Sequence, residues 1–312
     1  MAAPAGQIVI GIPTAGRAAI LAKTVTAIAR QTRLPDRVLI SVGDPQDCGE
    51  VETLDLPFDV EVLVGTKGLS RQRNRILNAL HRDDVLLYLD DDYLMAADYL
   101  ARLEGIFAEH PDMVMTTGVV LADGIHGVGL NHAQGEALLA ADSYAGPDTL
   151  LPVTTGYSCN MALRAAAILD HGIFFDERLP LYSWLEDADL SHRLRPLGRF
   201  ARPTALRGVH LGVKTGRTSG VRLGYSQIAN PVYMIRKGTL SRKRASRLML
   251  RNLAANLYCS VVTKSWADHR GRLRGNLLAL RDICIGRSDP RRILLLGRRG
   301  RRTGRGRYSS TA

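Results

Sequence analysis

The sequence predicts an α/β fold, a mostly parallel sheet flanked by helices, with further helices at the C-terminal end. Three observations carry this. Residues 85–89 read Val-Leu-Leu-Tyr-Leu, five apolar residues with no polar face, as in a strand buried on both sides. The apolar segments before it alternate as strand, helix, strand, loop, strand, helix, strand, the rhythm of a parallel sheet covered on both faces. This strand runs directly into Asp90-Asp91-Asp92, and α/β folds gather their ligands at the carboxyl ends of such strands.

Taken in order, residues 7–11 (Gln-Ile-Val-Ile-Gly) form a first strand closed by Ile12-Pro13-Thr14. Residues 18–30 place Ile20, Leu21, Val25 and Ile28 at helical spacing. Residues 37–42 form a second strand, broken at Gly43-Asp44-Pro45, and residues 60–64 a third. Residues 69–80 read as the helix that leads into the Asp-rich strand. Beyond it come a helix over 97–110 ended by Pro111 and a strand over 113–120. Residues 122–152 are rich in Gly, Asp, His and Ala without a sustained period, which points to a long functional loop. Order resumes over 154–163, followed by helices over 164–171 and 185–197, the second broken by Pro196. Residues 241–285 form two helical segments split near 268–271. There is no sign of an internal repeat. The expected organisation is a catalytic domain over 1–238, a helical segment over 239–286 and an Arg-rich, disordered tail over 287–312.

The chain has 312 residues, 46% apolar and 23% charged, as in an ordinary globular protein. No run is long enough to cross a bilayer. Residues 1–6 lack the basic region and apolar core of a signal peptide. Cys48, Cys159, Cys259 and Cys284 have no paired spacing, so they read as free thiols, with the cytoplasm as the default location. The net charge of +12 is concentrated at one end. Between Arg287 and Arg307 nine arginines face a single acid, Asp289, which leaves the rest of the chain only mildly basic. No specific nucleic-acid partner is expected from a charge confined to a tail.

Three side-by-side carboxylates at the end of a buried strand are costly unless a cation neutralises them, and a divalent metal is the usual one. Asp90, Asp91 and Asp92 are therefore candidate ligands. His210, in Gly-Val-His-Leu-Gly, delivers one imidazole that would suit such a site, manganese better than calcium. A second acidic group, Glu186-Asp187-Ala188-Asp189, suits a helix N-terminus, and next to a metal site Asp187 becomes a candidate general base. Gly68 to Asn74 opens a helix with Arg71 and Arg73 in its first turn, where cations oppose the helix dipole. They make sense beside a bound anion such as a diphosphate. The neighbouring Arg75 reads as a solvated surface charge. Residues 297–307 imitate a phosphate loop only in glycine content, without the strand, helix or Gly-Lys-Ser/Thr that such a loop needs.

Together these pieces resemble family-2 glycosyltransferases of the glycosyltransferase-A fold, over about residues 7–215. Ile10 to Thr14, with Pro13 and Thr14, is similar to the opening strand and loop that hold the nucleotide. Asp44 stands where the family has an Asp at the nucleobase, although Gly43 replaces the other member of the usual acidic pair. Gly68 to Asn74 resembles the family's Gly…Arg-Asn segment, which implies nucleotide contacts for Arg71, Arg73 and Asn74. Leu89 to Asp92 matches Asp-x-Asp, which implies that Asp90 and Asp92 handle nucleotide and metal, with Asp91 leaving three carboxylates for two roles. Cys159 to Arg164 and Phe175-Asp176-Glu177 match the approach to the acceptor. Trp184 to Asp187 matches the Glu-Asp motif, with Trp184 and Glu186 toward the acceptor and Asp187 as base, and His210 matches a late metal ligand.

The resemblance implies an inverting transfer from a nucleoside-diphosphate sugar, with Mn2+ or Mg2+, to a carbohydrate or lipid-linked acceptor in polysaccharide or glycolipid synthesis. The rival readings are a sugar-phosphate nucleotidyltransferase and a nonenzymatic nucleic-acid binder. The first would want a Gly-rich basic loop where Pro13 to Arg17 stands, and the second leaves both acidic groups unexplained. Leu250, Leu253, Leu257 and Val261 share a helix face near Arg244, Arg247 and Arg251. That face either packs on the catalytic domain or rests on anionic lipid, peripherally at the inner face of the plasma membrane.

Overall fold

The computed structural model describes residues 6–216, 218–262 and 266–296. The expected alternation is present: β1 (Ile8–Thr14), α1 (Ala18–Ile28), β2 (Arg37–Val42), β3 (Asp59–Val64), α2 (Leu69–Leu77) and β4 (Val85–Leu89). Every residue of β1 and β4 is buried, as an all-apolar central strand requires. After the Asp triplet come β5 (Tyr93–Met95), α3 (Tyr99–Glu109), β6 (Met113–Thr117) and β7 (Val119–Asp123). Then follow α4 (His132–Ala141), β8 (Leu150–Pro152), β9 (Asn160–Arg164), α5 (Ala165–Leu169) and α6 (Glu186–Leu194). The chain closes with β10 (Arg199–Pro203), β11 (Arg207–His210), α7 (Gly220–Lys237), α8 (Arg242–Val261) and α9 (His269–Cys284).

Eight strands form the main sheet in the order β3-β2-β1-β4-β9-β6-β10-β8. The β3-β2-β1-β4 half is parallel throughout, while β9 runs antiparallel between β4 and β6. One apolar cluster lies on each face. One centres on Leu21, Val25, Tyr99 and Leu103, the other on Ile76, Ile168, Leu190 and Leu194. A second, three-stranded sheet has the order β5-β11-β7. Its register sets His210 opposite both Tyr93 and Asp123, so it carries the imidazole to the residue that follows the Asp triplet. The approach is tight at Gly208, where a Cβ would lie 2.2 Å from the Tyr93 hydroxyl oxygen.

Three expectations need correction. Residues 122–152 are not a structureless loop, since a 3-10 turn (Gly124–His126), α4 and β8 lie within them. The N-terminus of α4 is a capping box, Asn131 with Gln134, a signal that the absence of apolar periodicity concealed. Arg75 is not a solvated charge. Its guanidinium donates to the Ser41 hydroxyl (2.7 Å) and to the carbonyls of Val42 and Thr66, which fastens α2 to the end of β2. Residues 287–296, assigned to a disordered tail, include a 3-10 turn (Pro290–Leu294) that buries Pro290 and Ile293 and pairs Arg292 with Asp282 (2.6 Å). The remainder of that tail lies outside the described residues.

The C-terminal helices pack on one another, with α7 against α9 at close range. A Cβ at Gly224 would lie 2.0 Å from the Arg272 carbonyl oxygen, and one at Gly275 would lie 2.1 Å from that of Val221. Helix α7 was not foreseen from the sequence. Pro231 lies within it and Gly220 and Gly224 in its first turns, all of which weaken a helical signal.

Candidate active site

Asp90, Asp91 and Asp92 diverge. Asp91 turns inward, accepting hydrogen bonds from Thr14 Oγ1 (2.5 Å) and Arg17 Nη1 (2.7 Å). Burial raises its carboxyl to about 6 against the opposing pull of Arg17. Asp90 and Asp92 face the other way, toward His210. The imidazole Nε2 lies 3.3 Å from Asp92 Oδ1 and 3.7 Å from Asp90 Oδ2. One ligand atom from each of these three residues falls within 4.8 Å of the others. Asp91 is thus the one most closely tied to Arg17, which reaches Asp92 Oδ2 only at 3.6 Å.

The surroundings suit a divalent cation. Asp92 Oδ1 is buried and receives no hydrogen bond, while Asp92 Oδ2 is held by the Val213 N–H at 2.7 Å. His210 is turned by Asp123, whose Oδ1 lies 2.8 Å from Nδ1, and Asp123 accepts in turn from the Tyr157 hydroxyl at 2.8 Å. A carboxylate behind the imidazole fixes the ring and leaves Nε2 aimed at the ligand position. Burial would lower His210, but Asp123 and Asp92 outweigh it and raise the imidazole to about 10. The oxygen and nitrogen donors match Mn2+ or Mg2+ chemistry.

The second acidic group begins α6, and its members also divide. Glu186 is 4% exposed and forms a close ion pair with Arg73. Burial raises the Glu186 carboxyl and Arg73 opposes that rise. Asp189 is fully buried under Lys237 (2.8 Å), Arg193 (2.9 Å) and the Thr239 hydroxyl (2.7 Å). Asp187 is half-buried, accepts the Ala188 N–H at 2.7 Å and has no ion pair among the described residues. Desolvation moves its carboxyl upward, the direction that makes a carboxylate more basic. The segment leading to it is strained, with Leu181, Ser183 and Leu185 all at positive φ. The N–H groups of Leu69 and Ser70 hold it by donating to the Leu181 carbonyl (2.8 Å) and Ser183 Oγ (3.2 Å). Half-buried Trp184 sits in this segment, its carbonyl accepting from Asn230 at 2.8 Å.

Arg73 joins the two groups. Its side chain is 1% exposed, lies against the rings of Tyr88 and Phe175 (5.4 and 5.3 Å), and approaches Asp90 Oδ1 at 3.7 Å while pairing with Glu186. It therefore underlies the site rather than standing open to a diphosphate. Asn74 is likewise structural, exchanging hydrogen bonds with the backbone of Phe175 at 2.8 and 3.0 Å. Arg71 is half exposed and paired with Glu177 at 3.3 Å. Pro13 and Thr14 end β1, and exposed Asp44 follows β2, where it caps a short 3-10 turn. Sequence reasoning missed Arg17, Gln72, Asp123 and Tyr157. Gln72 Nε2 donates to the carbonyls of Thr14 and Ser41, both at 2.7 Å, and so joins the ends of β1 and β2. The bonds that matter join each of the four to a residue far away in sequence, so a local pattern does not reveal them.

Against this geometry, the family model for glycosyl transferase family 2 matches residues 9–171. The chain belongs to glycosyl transferase family 2. No curated protein matches it by sequence. Among solved structures it is similar to mannosyltransferase PcManGT from Pyrobaculum calidifontis, in complex with GDP-Man and Mn2+. That similarity has a TM-score of 0.53 and 15% identity, covering 93% of this chain and 78% of the other. Residues 1–349 of S. aureus TarS, in complex with UDP-GlcNAc, give 0.52 and 14%, covering 93% and 83%. A longer S. aureus TarS chain gives 0.51 and 16%, covering 81% of this family 2 member, which spans 44% of that chain. At these identities the likeness establishes the fold, a glycosyltransferase-A α/β architecture. No helix among the described residues of this glycosyltransferase family member is long and apolar enough to cross a membrane.

Proposed function

We propose that this chain is a metal-dependent, inverting glycosyltransferase that moves a sugar from a nucleoside-diphosphate sugar to an acceptor hydroxyl, in polysaccharide or glycolipid synthesis. The observation that carries this reading is the division of the two acidic groups. Asp90, Asp92 and His210 converge within 4.8 Å, and Asp187 alone of the second group has no ion pair among the described residues. GDP-Man and UDP-GlcNAc in solved structures of similar fold support the donor class.

Asp90, Asp92 and His210 would hold Mn2+ or Mg2+, which when bound neutralises the charge developing on a departing diphosphate. Asp187 takes the proton from the acceptor hydroxyl as its oxygen bonds to the anomeric carbon. The bond from that carbon to the diphosphate oxygen breaks on the opposite side, and its electron pair leaves with the diphosphate. One displacement inverts the centre, and one catalytic carboxylate suffices because the metal would take the place of an acid, unlike the carboxylate pair of a glycosidase. Thr14, Pro13 and Asp44, at the ends of β1 and β2, would border the nucleoside, and half-exposed Arg71 would meet the phosphates. Arg73, Asn74 and Glu186 position the site from beneath. Trp184 would offer an aromatic face to the acceptor sugar.

Calorimetric titration with a panel of nucleoside diphosphates and their sugars, with and without Mn2+, tests the reading against an Asp92→Ala variant. The expected result is binding of one nucleotide only with metal, lost in the variant. Binding that ignores both metal and the substitution would overturn it.

A further inference from the structure

Helix α8 runs 20 residues and contains five cations, Arg242, Lys243, Arg244, Arg247 and Arg251, with no acidic residue. Of its side chains only Ala245 and Asn256 are buried. Asn256 is anchored to Gln227 and Asn276, both at 2.8 Å, which fixes which face of α8 turns inward. The opposite face exposes Leu250 (66%), Leu257 (57%), Tyr258 (66%) and Val261 (78%). At spacings of seven, one and three these residues fall on one side of the helix, toward its C-terminal half. The cations Lys243, Arg247 and Arg251 occupy the N-terminal half of the same outward surface, all of them exposed. A row of large apolar side chains held out in water marks a contact surface.

Charge selects the occupant. A second copy laid on this face would bring Lys243, Arg247 and Arg251 against an equally basic helix, with no acid on either helix. An anionic bilayer surface matches both halves. Head groups meet the arginines and the lysine, and the acyl boundary receives Leu257, Tyr258 and Val261. The location agrees. Arg270 Nε, at the start of α9, donates to the Ser260 carbonyl (3.1 Å), so the apolar end of α8 lies beside the start of α9. Just before α9, Trp266 stands 5.4 Å from Lys214 Nζ. Lys214 follows Val213, whose N–H holds Asp92. The apolar end of α8 is thereby linked through Trp266 to the rim of the carboxylate site.

We infer that the exposed face of α8 seats the protein on an anionic lipid surface. Under the glycosyl-transfer reading, and resting on it, this orientation presents the site to an acceptor hydroxyl carried by the membrane. The docking itself does not depend on that reading.

Vesicle co-sedimentation of the full chain, without nucleotide or metal, tests the inference, using phosphatidylcholine vesicles with and without phosphatidylglycerol. The wild type should sediment with the anionic vesicles only. The double variant Arg247→Glu/Arg251→Glu should partition at least roughly tenfold more weakly, since each cation near such a surface contributes about fivefold. Leu257→Ser/Val261→Ser should release the protein at salt concentrations that the wild type withstands. Both pairs are exposed, and unchanged circular dichroism and thermal melting would show that the variants fold. Variants that sediment like the wild type, or equal binding to neutral vesicles, would overturn the proposal. A lipid-free dimer dispersed by Leu257→Ser in analytical ultracentrifugation would overturn it in favour of a second copy. Because no donor is present, failure here leaves the transfer reading intact, and failure of donor binding leaves this one intact.

Discussion

The two acidic groups solve one problem differently. Each sets several carboxylates within four residues of one another, a costly arrangement in a folded interior. In the Asp90–Asp92 group Arg17 pairs closely with Asp91 (2.7 Å) and reaches Asp92 only at 3.6 Å, while Asp90 and Asp92 converge on His210. In the Glu186–Asp189 group two members are neutralised, Glu186 by Arg73 and Asp189 by Lys237 and Arg193, and one is left over. Two carboxylates whose arginines stand off at 3.6 and 3.7 Å, together with an imidazole, suit the proposed cation site. A single carboxylate without an ion pair among the described residues suits the proposed base. The difference lies in the cations supplied by distant elements, and Arg73, reaching Glu186 and Asp90 together, holds the two groups at a fixed separation.

The sharpest way to break this comparison is to exchange free and bound carboxylates within the second group. Asp187→Asn should lower the rate of transfer by about 10²–10⁴-fold while calorimetry shows donor and metal bound as before. Its unfolding free energy should stay near that of the wild type, because no ion pair is lost. Glu186→Gln should do the opposite. It leaves the buried Arg73 without its nearest anion, at a cost of about 3–5 kcal/mol in denaturant unfolding. If Asp187→Asn proved the more destabilising of the two, the assignment of bound and free members would be reversed.

The first group is sharpened through Asp123, which touches no proposed ligand except His210 Nδ1. Asp123→Asn should weaken Mn2+ binding by about 10–100-fold, measured by calorimetry or by the electron paramagnetic resonance of the free ion. Tyr157→Phe removes only the hydroxyl that donates to Asp123, so its effect should be smaller. Unchanged metal affinity in Asp123→Asn would separate His210 from the cation site.

What the sequence conveyed follows from how local each signal is. Val85 to Asp92 is legible because a continuous apolar run and a charge cluster adjoin, and the parallel half of the sheet follows from regular alternation of strand and helix. Arg73 stands out in the sequence as an anomalous cation at a helix N-terminus. Its partner is a buried carboxylate and not an exposed diphosphate, because the fold brings α6 over α2, which no spacing within either helix encodes. Asp123 was hidden in a stretch without periodicity, and its role exists only through the register of β7 against β11. Arg75 shows the converse. Its polarity suggested solvent, but its guanidinium donates to the carbonyls of Val42 and Leu63 at the ends of β2 and β3.

Asp189, the most deeply neutralised member of either group, offers the mildest test, because its cation is shared. Lys237 Nζ lies 2.8 Å from Asp189 and 2.6 Å from Asp176, which also accepts from the Tyr233 hydroxyl at 2.6 Å. Burial raises the Asp176 carboxyl, and the hydrogen bonds from Lys237 and Tyr233 more than offset it, leaving the group below the ordinary carboxylate value. A carboxyl lowered on folding contributes stability that is fully present above its unfolded pKa of about 3.9 and lost as pH falls through the lower folded value. The unfolding free energy of the wild type should therefore fall on acidification below about pH 5 more steeply than that of Asp176→Asn, and the two curves should approach one another at the acid end. Parallel curves would mean that Asp176 gains nothing from Lys237. The lysine would then serve Asp189 alone, and the neutralisation of the second acidic group would not extend to the α7 contact with residues 176–178.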